Sequence, residues 1–360
     1  MRRSNRHHHL PVLALLAMAA LASVSLLRSR AHVEEGEASG PRPGSLDKRG
    51  RLADTPEAIP PRGLRDVIWR VIHGVSDDRV LLIAAGVTFY LLLAMFPALA
   101  ALVSLYGLVA DPLTIADHLQ QLAIVLPPGA FDIVAEQVRA LAARRESTLG
   151  VTFFAGLAIA LWSTHSGTLS LFDAMNVAYE ENEKRSFVRL NLIGLAFTLC
   201  AIFSTVAIVA LIAVLPVVLS YVWMDQLEEK AMLWLRWPLL LVVVSCAVTG
   251  LYRFGPSREP ARLRWLTWGA LLTTAAWFAM SFGFSFYLGH FANYNATYGT
   301  LGALIGFLIW TWLSVAILIV GAETNAELEH QTTRDTTTGR PVAMGMRGAY
   351  VADTIGRAVD

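Results

Sequence analysis

The sequence predicts an all-α fold: a polytopic membrane helix bundle with six transmembrane helices plus interfacial amphipathic helices. Three observations lead there. Six long apolar runs fill residues 80–322. None of them contains Asp, Glu, Lys or Arg, and His165 is the one imidazole among them. The whole chain is 55% hydrophobic and 16% charged, where a soluble domain carries about 25% charged residues. A helix needs roughly 20 apolar residues to cross a hydrocarbon core of about 30 Å.

The elements follow in chain order. Residues 1–61 form an N-terminal extension, with a basic start, the apolar run Leu10–Leu27 and a polar linker to Pro61. Its layout fits a signal peptide, an extra span, or a start assigned too far upstream, and the residues leave all three open. Next, Leu64, Val67, Ile68, Val71, Ile72 and Val75 recur at helical spacing, with Arg65, Asp66, Arg70 and His73 on the opposite face. This predicts an amphipathic helix in the membrane interface. Ser76 or Asp77 is then placed to cap the first span.

The runs are Val80–Ala110, Leu149–Phe172, Leu190–Met224, Pro238–Tyr252, Trp265–Leu288 and Thr300–Ala322. Pro97 predicts a kink in the first. The fourth reaches spanning length when Ala231–Leu235 and a snorkelling Arg236 join it. The loop 111–148 reads as two amphipathic helices split by Pro127-Pro128-Gly129. Asp225–Lys230 and Gly289–Gly299 read as short connections. The six-helix domain covers 62–330, and the polar stretch 331–360 reads as a flexible cytoplasmic tail.

Charge sets the orientation. One side of the bundle collects thirteen Lys/Arg residues, on the segments before the first run, after the second, after the fourth and after the sixth; the other collects five. The positive-inside rule puts the richer side, with the C-terminus, in the cytoplasm. A net charge of +1 gives no footprint for nucleic acid. Cys200 and Cys246 fall inside apolar runs, lack zinc-ligand spacing and read as small packing residues. No metal, cofactor or catalytic residue is expected.

Polar residues at or within the spans are the candidates for chemistry, because each costs free energy in hydrocarbon unless it is paired or wetted. Ser163 and His165 lie inside the second run. The denser set borders the charged side: Asp173, Asn176, Tyr179, Glu183 and Arg185 after the second run, Arg253 and Arg258 after the fourth, and Glu323, Asn325 and Glu327 after the sixth. Glu323 and Glu327 share a helix face, and Arg185, Arg253 and Arg258 are their expected partners. The set reads either as a salt-bridge network locking helix ends or as a site for a lipid headgroup or a coupling proton.

These same residues carry a resemblance. Ala84–Tyr90 with Phe96-Pro97, Trp162-Ser163, Ala174-Met175-Asn176 with Tyr179 and Arg185-Ser186-Phe187, Leu251-Tyr252-Arg253-Phe254, Tyr298–Gly302 and Gly321–Glu327 resemble the YihY/BrkB family of bacterial inner-membrane proteins. The likeness runs in order over about residues 64–353. It implies six transmembrane helices, a bacterial inner-membrane location, and movement of lipids or other amphiphiles across or out of that membrane. It transfers no catalytic residue, and an older ribonuclease label in the family is regarded as mistaken.

The expected function is therefore lipid or amphiphile transport, not enzymatic catalysis. A metal nuclease needs clustered carboxylates or imidazoles in water, and the chain has no such cluster. The alternative is a non-catalytic scaffold docking a partner protein, with loop 111–148 as its contact. Membrane lipids are the expected partners, and a homo-oligomer is compatible with the sequence.

Overall fold

The computed structural model describes residues 48–109, 146–209, 226–290 and 302–359. The expectations for the apolar run Leu10–Leu27, for the loop helices around Pro127-Pro128-Gly129 and for the connection after residue 290 lie outside those residues. Among the described residues the fold is all-helical, with no strand. A 3₁₀ turn, Pro56–Ala58, is followed by α1 (Pro61–Asp77), α2 (Val80–Val109), α3 (Glu146–Ala178), α4 (Phe187–Val209), α5 (Gln226–Phe254), α6 (Leu263–His290), α7 (Gly302–Glu329) and α8 (Tyr350–Asp353).

Helices α2 to α7 correspond to the six apolar runs. Among the described residues, α4, α6 and α7 are long and apolar enough to cross a membrane, while α2 and α5 contribute the shorter apolar stretches Val80–Ala94 and Pro238–Phe254. Helix α5 starts at Gln226 and runs through Pro238 without a break. Most of the expected connection Asp225–Lys230 is thus helical, and Arg236 lies within α5.

Helix α7 is the hub. It packs against α1, α2, α3 and α6; α2 lies along α3, and α5 joins α6 to α4. Fully buried large side chains gather where these helices converge: Phe172, Met175 and Tyr179 from α3 and its end, Tyr252 from α5, Leu266 from α6 and Ile319 from α7. Elsewhere the burial pattern is inverted. Bulky apolar side chains point outward, with Trp162 75% and Phe203 71% exposed. Such a surface is a liability in water and the expected one against lipid. Cys200 and Cys246 lie on this exposed face, so they are not the packing residues that the sequence suggested.

Hydroxyls inside the bundle are satisfied locally. Thr88 donates to Ala84 O, Thr274 to Ala270 O and Thr311 to Phe307 O, each one turn back. Others bridge helices: Thr168 with Thr198 at 3.0 Å, Tyr252 with Thr273 at 2.8 Å, and the Trp277 indole donating to Ser314 at 2.9 Å. In hydrocarbon every such group needs a partner, and each interhelical bond adds about 0.6 kcal/mol.

Helix α1 has the expected apolar stripe, but the helix is seated by its polar flank. Asp66 and Arg70 are buried with Gly63 and Val67, whereas Leu64, Ile68 and Ile72 are exposed. The reason is a set of charged partners that α1's own periodicity does not reveal. Neither Ser76 nor Asp77 caps α2. They end α1, Asp78 is its C-cap, and Arg79 turns the chain with φ 53°.

The tail also departs from expectation. Residues 331–359 fold over the charged end of the bundle instead of forming a flexible tail. The Arg347 guanidinium donates to the carbonyls of Thr333 and Ala352, and Asp353 accepts from the N–H groups of Gly345 and Arg347. Thr337 pairs with Ala261 in the α5–α6 connection. Polar composition suggested disorder, but these side chains act as internal braces for irregular backbone. The linker 48–59 joins the same layer: Ala53 and Ile59 pack with Val67, Trp265 and Leu328.

Glycines let α7 approach its neighbours. A Cβ on Gly321 would overlap the Thr273 and Tyr252 hydroxyls, and one on Gly269 would overlap the Asn325 amide; one on Gly86 meets nothing within 4 Å. Gly321→Leu should therefore lower stability by about 3 kcal/mol or more. Gly86→Ala should be neutral or stabilising by up to about 1 kcal/mol. Thermal unfolding in detergent micelles compares the two.

Candidate functional site

The polar residues singled out in the sequence fall into three groups at the charged end. The first joins the end of α3 to the α5–α6 connection. Helix α3 stops because Glu180 adopts φ 52° and Glu181 N–H bonds back to Asn176 O at 2.8 Å, a left-handed helix ending. This turns Glu183 back over α3. The Asn176 amide donates to Glu183 at 3.1 Å and accepts from Ser257 N–H at 2.7 Å. Arg185 grips Glu183 through Nε and Nη2, at 2.8 and 2.7 Å, and also donates to Phe254 O and Gly255 O. That bidentate grip holds the Glu183 carboxyl down at about 2, well below the usual carboxylate range.

The second group is a fully buried ion pair. Arg258 donates to both carboxylate oxygens of Glu329, at 3.3 and 2.7 Å, with side-chain exposures of 2% and 0%. The Thr336 hydroxyl donates to the same carboxylate at 2.7 Å. The Arg258 guanidinium lies 5.0 Å from the centre of the Tyr179 ring. Every oxygen of this pair is engaged, so it reads as a lock between the α5–α6 connection, the end of α7 and the tail.

The third group surrounds Glu323 and Glu327 on α7. Glu327 takes the Arg70 guanidinium of α1, and His330 Nδ1 lies 3.7 Å away. Arg70 also donates to Gln331 Oε1 at 2.9 Å and to Arg357 O at 2.9 Å. Glu323 has no cationic partner among the described residues. It is 4% exposed, its Oε1 is buried without a hydrogen-bond partner, and its other oxygen faces Gly74 and the Asp78 carboxyl. The expected pairing of Glu323 and Glu327 with Arg185, Arg253 or Arg258 is thus replaced throughout. Arg185 folds back on Glu183 two residues away, Arg258 reaches past Glu327 to Glu329, and α1 supplies Arg70.

The remaining candidates stand apart. Arg253 lies over the Phe254 ring and makes a long 3.5 Å bond to Ala261 O. Asp173 is exposed. Asn325 is fully buried between α6 and α7, where its Oδ1 accepts from Gly269 N–H at 3.0 Å. His165 bonds Asn191 Oδ1 of α4 at 3.0 Å, its Nδ1 has no partner among the described residues, and Ser163, two residues earlier, is half-buried. Of these, Asp173 lies near Glu183 and Arg185 of the first group, and Asn325 lies beside Tyr179 of the second. Asp78, Arg70 and Glu329 are the residues that sequence reasoning missed. Arg70 lies on a helix whose periodicity reads as interfacial, Asp78 lies at the elbow after that helix, and Glu329 is the last residue of α7.

Residues 71–344 match the family described as Virulence factor BrkB. The chain belongs to this family. It is 31% identical over 253 residues to the "Putative ribonuclease-like protein YfkH" of Bacillus subtilis, covering 68% of this chain and 88% of that protein. It is 26% identical over 274 residues to the "UPF0761 membrane protein NMB0524" of Neisseria meningitidis serogroup B, and 28% identical over 256 residues to a UPF0761 membrane protein of Chlorobium phaeobacteroides. The chain spans 63% and 53% of the lengths of those last two. No solved structure matches it. The chain is thus a membrane protein of the BrkB/UPF0761 family. The described residues hold no group of three or more His, Cys, Asp or Glu placed to bind a metal ion.

Two outcomes follow from the ion pairs. Arg258→Met strands the Glu329 carboxylate out of water and should cost about 3–5 kcal/mol, while the double variant Arg258→Met/Glu329→Leu should recover most of it; unfolding in micelles measures both. Glu183, with its folded value depressed, contributes stability that is present above the ordinary Glu value of 4.5 and lost as pH falls towards about 2. Arg185→Gln should flatten that acid limb of the melting curve.

Proposed function

We propose that this protein is an integral inner-membrane protein with six spans and a cytoplasmic C-terminus, and that it moves lipids or other amphiphiles across or out of that membrane. The observation that carries the reading is Glu323. A buried carboxylate with an unpartnered oxygen, near the end of a helix apolar enough to span, is expensive to keep. Its cost is understandable if the group binds something that comes and goes.

The surroundings favour an amphiphile over a small polar solute. Glu323 faces α1, whose outer surface presents Leu64, Ile68 and Ile72 beside Arg62 and Arg65. An acyl chain along that stripe would bring its headgroup to the charged end of the bundle. The orientation rests on Arg and Lys residues concentrated at the helix ends around residues 184–189 and 253–264. An enzymatic role has no support in the three groups, whose acids are, Glu323 apart, engaged by Arg, Asn or Thr.

The test is reconstitution of purified protein in liposomes with fluorescent lipid on one leaflet. Wild type should accelerate redistribution, and Glu323→Gln should return it towards the protein-free rate at equal incorporation. A wild-type rate equal to that of empty liposomes would turn the reading to a scaffold that docks a partner protein.

A further inference from the structure

We infer that Asp78 and Glu323 form a proton-binding site, in which the two carboxyls share one proton and fasten the α1–α2 elbow to α7. The first observation is the contact itself. From the position of a Cβ on Gly74, Glu323 Oε2 lies 3.3 Å away and Asp78 Oδ2 3.7 Å, so the two acids converge on the same point of α1. Two ionised carboxylates offer acceptors only, so oxygens brought together at that point need a proton between them.

The second observation is what surrounds the pair. Glu323 is 4% exposed and its Oε1 finds no donor among the described residues, so no neighbouring protein group offsets its charge there. The groups facing it are acidic on every side: Asp78 at the elbow, Glu327 one turn along α7, and Glu180 at the turn after α3, with Asp77 beside Asp78. The basic groups nearby are committed elsewhere. Arg70 and His330 serve Glu327, and Arg79 is exposed. Like charges in one desolvated site cannot all ionise, and one of them keeps its proton. Burial also raises the Asp78 carboxyl above its ordinary range.

A metal ion fits less well than a proton. The described residues offer no set of three ligands around it, and the elbow supplies a single oxygen facing a single oxygen. The inference stands without the transport reading. If that reading holds, it names the coupling ion.

The sign of the pH effect follows from linkage. A carboxyl that keeps its proton in the folded state binds more protons there than when unfolded. Stability then falls as pH rises above the ordinary carboxylate range of about 4. The experiment is infrared difference spectroscopy of the purified full chain in micelles, with a pH series of melting curves. Wild type at neutral pH should show a protonated-carboxyl band. Glu323→Gln should lack the band, and Asp78→Asn should shift it. Wild-type Tm should decline by roughly 2 °C per pH unit above the carboxylate range, and Glu323→Gln should flatten the slope. Absence of the band in wild type at neutral pH overturns the inference; so does a band that neither substitution alters. Neither readout involves lipid movement, so a failure here and a failure of transport are told apart.

Discussion

Removing charge from water is the constraint on which this molecule is built. Along most of their length the long helices carry no charge at all and turn bulky apolar side chains outward. Most of the described ionised side chains gather at one end of the bundle, where each must be paired, hydrogen-bonded or neutralised. The Arg258–Glu329 pair meets this demand in full, with the Thr336 hydroxyl as a further donor to Glu329 Oε2. The Arg185–Glu183 grip meets it at the rim, where water still reaches. Glu323 meets it with another acid. Three solutions to one electrostatic problem lie around the hub helix α7 and the loops next to it.

The same demand explains the tail. The last carbonyls of helices and the irregular backbone that follows need donors, and the chain supplies them as guanidinium groups. Arg51, Arg70 and Arg347 each donate to two or more backbone carbonyls or amides from distant segments. A stretch rich in Thr, Arg and Gly is therefore ordered by hydrogen bonding, with little apolar burial beyond Val351 and Ala352.

Fold class was legible because hydrocarbon allows few solutions: long uncharged runs become helices, and the six runs map onto α2–α7. The residues of the candidate site were also legible as types, since polar side chains at the ends of apolar runs are few. Their partners were not. Periodicity places Glu323 and Glu327 on one face of α7 but says nothing about which neighbour covers that face. Arg70 was read as the solvent side of an amphipathic helix, because a single helix cannot report that its polar flank has a buried carboxylate waiting for it. The tail failed for a related reason: composition measures apolar content, and this layer is held by directed bonds. The glycines at 269 and 321 carry a signal that sequence alone does not separate from Gly86, since close approach is a property of two helices and not of one.

One feature of this layer bears on how the protein is made. Arg49 and Arg51 near one end of the described chain hold the carbonyls of Val359 and Gly356 near the other, and Asp66 accepts from Val359 N–H. These clasps join segments about 300 residues apart, so they can close only after the later segment has been synthesised. Insertion of the helices into the bilayer can proceed as each emerges, but the clasp waits for residues 356–359. The two flanks of the bundle thereby act as a seal, and a polypeptide stopped before Gly356 would keep its spans yet lack the closure that ties them together.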